Sequence, residues 1–575
     1  MKKCRYNLDI GGKRFMKHFK RLFSYLVALT MVLSLAAFAG VNVHADTGNS
    51  LTITNNGKTA HTFELYQIFT GTQKDKTDST LGDIEWGSGV TDAGRNQLGN
   101  AAENAKKLNN DSAKARTLAK TLDKNRYLQN PTYSKDSSGE KFAVPKDEKY
   151  TFGNLETGYY LVKDEANTQT GENSAYTDYI CCVVGKTEAE TKLDVPTTIK
   201  KVQENKKDVN KDDLETDANM NDVKLGNHFN DVADYSIGDN IPYELIGSLP
   251  TNYDKYTDGY FYQFTDIMDK GLTRNDDVND DVQAWISNDD GSSWTKIYSG
   301  FNVSPVSKDA STGKTTFTVT FDNLKNAKDK DGSVITTDSN SKIKVTFTAK
   351  LNGDAEYGNP GNVNESYLKY SNDVNGEGKG ETTHDKVVVF TYELDSTKVD
   401  ANETTTKLEG AEFILADSNG EGKKYLVQTK DKEGKVTNNT WTTDENEATK
   451  FVSGSDGKFE IKGLDDGTYY LQETKAPEGY NIDSTLKKVT INATTSNGQD
   501  WNGSAEALTA LSLGKLNNSG DKEKGTVSEQ ITNTKGSSLP STGGMGTTLL
   551  YVAGGILVAC AAAYVIISRK KSAKK

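Results

Sequence analysis

Lys342-Ile343-Lys344-Val345-Thr346-Phe347 alternates charged or hydroxyl side chains with large apolar ones. A period of two fits a strand with one face in a core and the other in water. Residues 315–321 and 343–351 share this texture. Most of the chain likewise reads as short runs of Val, Ile, Thr, Tyr and Phe separated by Gly, Asn and Asp turns. That pattern predicts a mainly β protein built of sandwiches. The length, 575 residues, suggests about three domains at the usual ~100–200 residues each.

One stretch departs from the pattern. Residues 91–128 are rich in Ala, Leu, Lys and Asn, with Leu98, Ala101, Ala105 and Leu108 at helical spacing. They predict a helical insertion in the first domain. Pro196 punctuates a polar run, and a new strand begins near residue 391. The expected domains are therefore 46–191, 192–390 and 391–535, flanked by segments 1–45 and 536–575. An internal echo links the outer two domains. Gly463-Leu464-Asp465-Asp466-Gly467-Thr468-Tyr469-Tyr470-Leu471 matches Asn154-Leu155-Glu156-Thr157-Gly158-Tyr159-Tyr160-Leu161 in texture.

Both ends carry address labels. Lys13, Arg14, Lys17, Lys20 and Arg21 precede an apolar run over residues 22–40, and Val43-His44-Ala45 is a small-residue cleavage site. This predicts a signal peptide cut between Ala45 and Asp46, with Met1 or Met16 as the start. At the other end, residues 547–567 carry no charge and are long enough to cross a bilayer as a helix. Arg569, Lys570 and Lys571 follow and would hold the cytoplasmic side. Residues 1–45 carry a net +7 and residues 543–575 a net +5, so residues 46–542 stand at −24 against −12 for the whole chain. Such a surface repels nucleic acid and anionic lipid.

Composition also narrows the chemistry. Between the two labels only Cys181 and Cys182 remain, and adjacent strand residues point to opposite faces, which disfavours an ordinary disulfide. An exported chain without a disulfide framework needs another source of rigidity. His61, His228 and His384 are widely separated, so no histidine metal site and no cofactor is expected. Asp329-Lys330-Asp331-Gly332-Ser333 lacks the later ligands of a calcium loop. Phosphate loops and nucleophile elbows are absent, so the chain does not read as an enzyme.

The most distinctive internal run is Tyr470-Leu471-Gln472-Glu473-Thr474-Lys475-Ala476-Pro477-Glu478-Gly479-Tyr480. It resembles the E-box, YxLxETxAPxGY, of immunoglobulin-like pilin domains of the collagen-adhesin B type. Two further pieces match that family: Lys398 in Thr397-Lys398-Val399-Asp400, and Asn533 in Gln530-Ile531-Thr532-Asn533-Thr534. The resemblance implies a spontaneous isopeptide bond between Lys398 and Asn533, releasing ammonia, with Glu473 assisting. The residue types suit that chemistry. A lysine attacks only as a neutral amine, which an apolar interior favours. A protonated glutamic acid can polarise the amide carbonyl and relay protons, and two strands hold the reactants in contact.

The middle domain offers a similar set. Lys201 precedes Val202 as Lys398 precedes Val399, and Asn372 follows Tyr370-Ser371 late in the domain. The expected bond is Lys201–Asn372, with Asp266 as the acid and Glu244 as the alternative. The segment from Asp234 to Pro250 resembles the second domain of fimbrial backbone subunits. The first domain should lack a bond, since Lys163 stands where Glu473 would be and its opening strand has no lysine.

The C-terminal label begins Leu539-Pro540-Ser541-Thr542-Gly543. Ahead of an apolar span and a basic tail, it resembles the LPxTG sorting signal of Gram-positive surface proteins, which sortases cut between Thr and Gly. Taken whole, the chain resembles a major (backbone) fimbrial subunit. The family implies pilin-specific and housekeeping sortases, identical subunits and peptidoglycan as partners, with minor pilins and host ligands as candidates. It also implies an exposed acceptor lysine. The usual YPK motif is missing, so Lys192 is expected in that role, with Lys200 as runner-up. The rival reading is a monomeric wall-anchored adhesin with the same stalk domains.

Overall fold

A computed structural model describes residues 48–73, 80–108, 112–191, 194–205, 216–217, 220–224, 228–274, 281–495, 501–514, 520–536 and 545–572. The expected signal peptide with its Ala45–Asp46 cut, Lys192, and Leu539 to Gly543 lie outside the described residues.

Strand pairing falls into three consecutive β-sandwiches. In the first, Asn49–Thr54 sits between Lys149–Leu155 and Lys186–Glu190, facing a sheet built on Phe63–Gln73 and Gly158–Asp164. The helices Asp92–Leu98, Ala101–Ala105 and Ser112–Lys124 interrupt this domain. Thr91 caps the first of them by accepting the Gly94 N–H, and Leu118, Ala119 and Leu122 bury one face of the last against Tyr66 and Phe69. Far along the chain, Met545–Ser572 forms one helix whose residues Leu550–Lys570 are long and apolar enough to cross a membrane.

Lys342–Leu351 alternates buried and partly exposed residues over most of its length. Ile343, Val345, Phe347, Ala349 and Leu351 enter the middle core with Tyr243, Leu245, Phe264, Phe317 and Val319. Each large aliphatic side chain there contributes roughly 1.5–3 kcal/mol. A one-residue slip would turn the whole set outward, which fixes the register with Asn240–Ser248.

The domains meet without slack. Asp385–Phe390 is followed by Tyr392–Asp400 with only the buried Thr391 between them. Val232, Val388 and Phe390 from the middle domain belong to the core of the third. At the other joint, Tyr370 donates to the Ser174 carbonyl at 3.0 Å and Asn375 to the Asp178 carboxyl at 2.6 Å. Burial pushes the Asp178 carboxyl up to about 8. Cys181 and Cys182 are not joined in a disulfide; burial pushes their thiols up to about 12 and about 11, so both stay protonated at neutral pH.

Gly463 marks the tighter joint. Its φ is +71°, its carbonyl accepts the Ile237 N–H at 3.0 Å, and a Cβ there would come within 2.7–2.9 Å of the Ile237 side chain. Gly410 has a φ of +84° with nothing within 4 Å of an added Cβ. Gly463→Ala is expected to destabilise the middle–third unit by about 1–3 kcal/mol more than Gly410→Ala. Equal denaturation midpoints for the two variants would refute this packing.

Candidate functional site

The third domain places its first strand, Tyr392–Asp400, beside its last, Thr526–Asn533. The two run parallel, with Lys398 opposite Ile531 and Asp400 opposite Asn533. The register turns Lys398 inward, where it is fully buried beneath the ring of Phe413 at 5.4 Å. Its ammonium donates to Asn533 Oδ1 and lies 3.2 Å from Glu473 Oε1. Asn533 Nδ2 donates to both Glu473 oxygens, at 2.9 and 3.0 Å. Burial pulls the Lys398 amine below the ordinary lysine range, against the pull of Glu473.

The run after Glu473 explains its own composition. Pro477 has no N–H to continue a ladder, and Gly479 takes a φ of +81°. That reversal returns the chain to the site. The Asn481 carbonyl accepts from Asn533 Nδ2 at 2.9 Å, and the Asp483 N–H donates to Glu473 Oε2 at 2.7 Å. Tyr480 donates its hydroxyl to Asp400 at 2.8 Å, tying the turn to the first strand.

The middle domain has a second buried constellation, and it uses a different lysine. Lys200 is fully buried in Thr198–Gln203, and its ammonium donates to Asp266 Oδ2. It lies 5.2 Å from the Tyr243 ring and 5.3 Å from that of Phe347. Asn364 and Ser366 occupy the next strand on the same inward face, with Ser366 directly opposite Asp266. The Asn364 amide acts on Asp266 and on the Tyr243 hydroxyl, yet neither of its polar atoms completes a hydrogen bond of ordinary geometry. Burial holds Lys200 below and Asp266 above their usual ranges, each opposed by the other's charge.

Lys201 and Asn372, the expected pair, are not brought together. Lys201 faces the opposite side of its strand and donates to Asp231 at 2.6 Å. Asn372 donates across the domain joint to the Gln169 carbonyl at 2.9 Å and to Ser174 O and Oγ at 3.1 Å. The alternative acid, Glu244, lies opposite Lys201 and 3.7 Å from the Lys344 ammonium. Lys200, the runner-up acceptor, is too deeply buried to meet another subunit. The lapse is one of parity: Lys398 shares a face with core Leu394, and its counterpart must share a face with core Val202. Asn364 had a sequence signal of its own, an amide in the inward phase of an alternating strand.

In the first domain Lys163 pairs with Asp123 of the helical insertion at 2.5 Å. Burial pulls this amine down, but Asp123 outweighs it, so Lys163 stays a firm cation. Asp234, Asp465 and Asp466 converge where the middle and third domains meet. Asp234 and Asp465 already accept from Tyr392 at 2.9 Å and Asn205 at 3.0 Å.

Removing the Asn372 amide takes its donor from the buried Gln169 carbonyl and one of two from that of Ser174, a loss of about 1–3 kcal/mol. Asn372→Ala is expected to speed proteolysis at the first–middle joint while leaving the mass of the intact chain changed only by the substitution. An extra mass gain matching ammonia would instead place Asn372 in a cross-link.

Residues 392–503 match the SpaA family, described as a prealbumin-like fold domain. Comparison with curated protein sequences finds no match. Among solved structures, the chain is similar to a pilus backbone protein of group B streptococcus, at 24% identity over 54% of this chain and 97% of that one, with a TM-score of 0.37. It is similar to a backbone pilin of Streptococcus pyogenes with a modular three-domain structure, at 17% identity, 86% and 100% coverage and a TM-score of 0.47. A third likeness is to the major pilin SpaD of Corynebacterium diphtheriae, at 16% identity, 86% and 99% coverage and a TM-score of 0.45. Residues 392–503 of the third domain therefore match the SpaA prealbumin-like fold domain, in a chain similar to backbone and major pilins.

Proposed function

We propose that this chain is the backbone subunit of a covalently polymerised, sortase-assembled surface pilus, stiffened by Lys398–Asn533 and Lys200–Asn364 isopeptide bonds. The observation that carries the reading is the dry contact of Lys398, Asn533 and Glu473 between parallel first and last strands. The Lys398 ammonium passes a proton to Glu473. The freed Nζ attacks Asn533 Cγ, the Cγ–Nδ2 bond breaks, and Nδ2 leaves as ammonia. Glu473 ends with the proton, so charge and atoms balance. Lys200, Asn364 and Asp266 can repeat the same step.

Topology gives these bonds a mechanical role. Tension entering at Tyr392 would run to Lys398, cross to Asn533 and leave, so residues 399–532 lie outside the load path. In the middle domain the path crosses from Lys200 to Asn364, which keeps the strands up to Phe390 under load. Each link also closes a long loop in the unfolded chain, 135 residues for Lys398–Asn533. By analogy with disulfides this is worth about 5 kcal/mol.

The sorting signal supplies the intersubunit joint. A sortase would cut Thr542–Gly543 and pass the Thr542 acyl group to a lysine of the next subunit, while the apolar helix holds the chain in the membrane. With Lys200 buried, Lys192 is the acceptor of choice, and peptidoglycan receives the finished fibre.

Intact mass of the exported chain should show two ammonia losses. Lys200→Ala or Lys398→Ala removes one each, and Lys201→Ala removes none. Lys398→Ala should also lower the unfolding temperature of its domain by on the order of 10 °C. An undiminished mass would sink the cross-links. On a denaturing gel, cell-wall extracts should give a high-mass ladder that Lys192→Ala abolishes; a single wall-linked band would favour the monomeric adhesin instead.

A further inference from the structure

Neither proposed cross-link spans the joint between the first and middle domains, so that joint rests on noncovalent contacts. The first-domain sheet places Tyr66, Leu161 and Ile180 side by side across three strands, beneath the apolar face of the Ser112–Lys124 helix. Two residues further along, on the same face, the row reads Glu64, Lys163 and Asp178. Asp123, near the end of that helix, pairs with the Lys163 ammonium at 2.5 Å, and Glu64 accepts the Tyr66 hydroxyl at 3.0 Å. Asp178 stands in the edge strand, where the row meets the middle domain. Its Oδ2 accepts the Asn375 amide at 2.6 Å, while Oδ1 is shut off from solvent with no hydrogen-bond partner.

Asn375 joins two acids across the joint. Its backbone N–H donates to Asp373 Oδ1 at 2.9 Å while its side chain holds Asp178. Row, helix and loop thus gather four carboxyls, Glu64, Asp123, Asp178 and Asp373, around one ammonium among the described residues, Lys163. Lys120 and Lys124 of the same helix pair instead with Asp258 of the middle domain. Lys163 is taken by Asp123, which leaves Asp178 with the neutral Asn375 amide. A carboxyl so placed is held more easily as the neutral acid. Burial pushes Asp178 up, opposed by the Asn375 donor and reinforced by the Asp373 and Asp123 charges; burial also raises Asp373. Around these acids the joint closes with the Asn173 N–H on the Glu381 carbonyl at 2.6 Å and the Tyr176 N–H on the Asn372 carbonyl at 2.8 Å.

We propose that the first–middle joint is a pH-operated latch, shut while Asp178 holds a proton and loosened when Asp178 ionises beside Asp373. Swung away from Asn375, Asp178 is an ordinary carboxyl that gives up its proton near pH ~4. Docked, it keeps that proton up to about 8. Between those values the docked joint binds one proton more than the open one, so rising pH favours opening. Above them both forms are ionised and the dependence ends. The proton passes to solvent, and two like charges then flank the single residue Asn375 that bridges the domains.

Hydrogen exchange of the exported chain reads the opening at the Asn173 and Tyr176 amides, which both bond across the joint. Asp178→Asn keeps the shape of the acid and stays neutral, so it mimics the protonated form at every pH. The two proteins should exchange alike at about pH 5, and at about pH 8 the native chain should exchange at least about tenfold faster at both amides. Comparison at equal pH cancels the intrinsic exchange rate and the titration of His61, which is buried against Asp164. A rate ratio that stays constant across that range overturns the latch. If Asp178→Asn does not accumulate, Asp373→Asn serves, since an asparagine there can still accept the Asn375 N–H. With the neighbouring charge removed, the joint should open less than the native one at the upper pH. Identical pH courses for that variant and the native chain are decisive against the proposal.

Discussion

A lysine ammonium held entirely out of water is the constraint around which the middle and third domains are arranged. Desolvating such a charge costs several kcal/mol even after relaxation, so it persists only against a carboxylate of excellent geometry, or until it reacts. Lys398 and Lys200 are both placed in this way, each with an acid in contact and at least one aromatic ring beside the ammonium. The aromatic rings exclude water. Amine, acid and amide therefore have mainly one another to interact with.

The two sites reach that condition by different routes. In the third domain the lysine and asparagine sit on adjacent parallel strands of one sheet, and the turn after Glu473 closes the site with backbone groups. In the middle domain Lys200 comes from one sheet, while Asp266 and Asn364 come from the other. Side chains alone complete that second site, and Oδ1 of Asp266 has no hydrogen-bond partner there. Domain joints extend the same economy of slack. The third core contains middle-domain residues, and the first domain is pinned through Asn372 and Asn375.

Much of this was legible in sequence because its causes are local. Alternation over residues 342–347 gave the β class, and Ala/Leu spacing over 91–128 marked the helices that interrupt the first sandwich. The run from Tyr470 to Tyr480 named its own site, since strand, acid, proline and glycine turn are contiguous. The middle site was not legible in that way. Its lysine and amide lie 164 positions apart, and adjacent lysines differ only in the face they present. Lys201 and Lys200 have the same chemistry, and only the phase of the sheet tells them apart.

Sequence by itself determined the strand-rich class, the apolar C-terminal span, the acidic balance of residues 46–542, and the Lys398, Glu473 and Asn533 trio of the third domain. Each follows from composition or from a short contiguous pattern. The tertiary structure alone decided that Lys200 is buried while Lys201 turns toward Asp231, and that Asn372 belongs to a domain joint. Those outcomes depend on which faces of distant strands meet across a core. That is set by sheet register summed over the whole sandwich, and no single window of residues contains it.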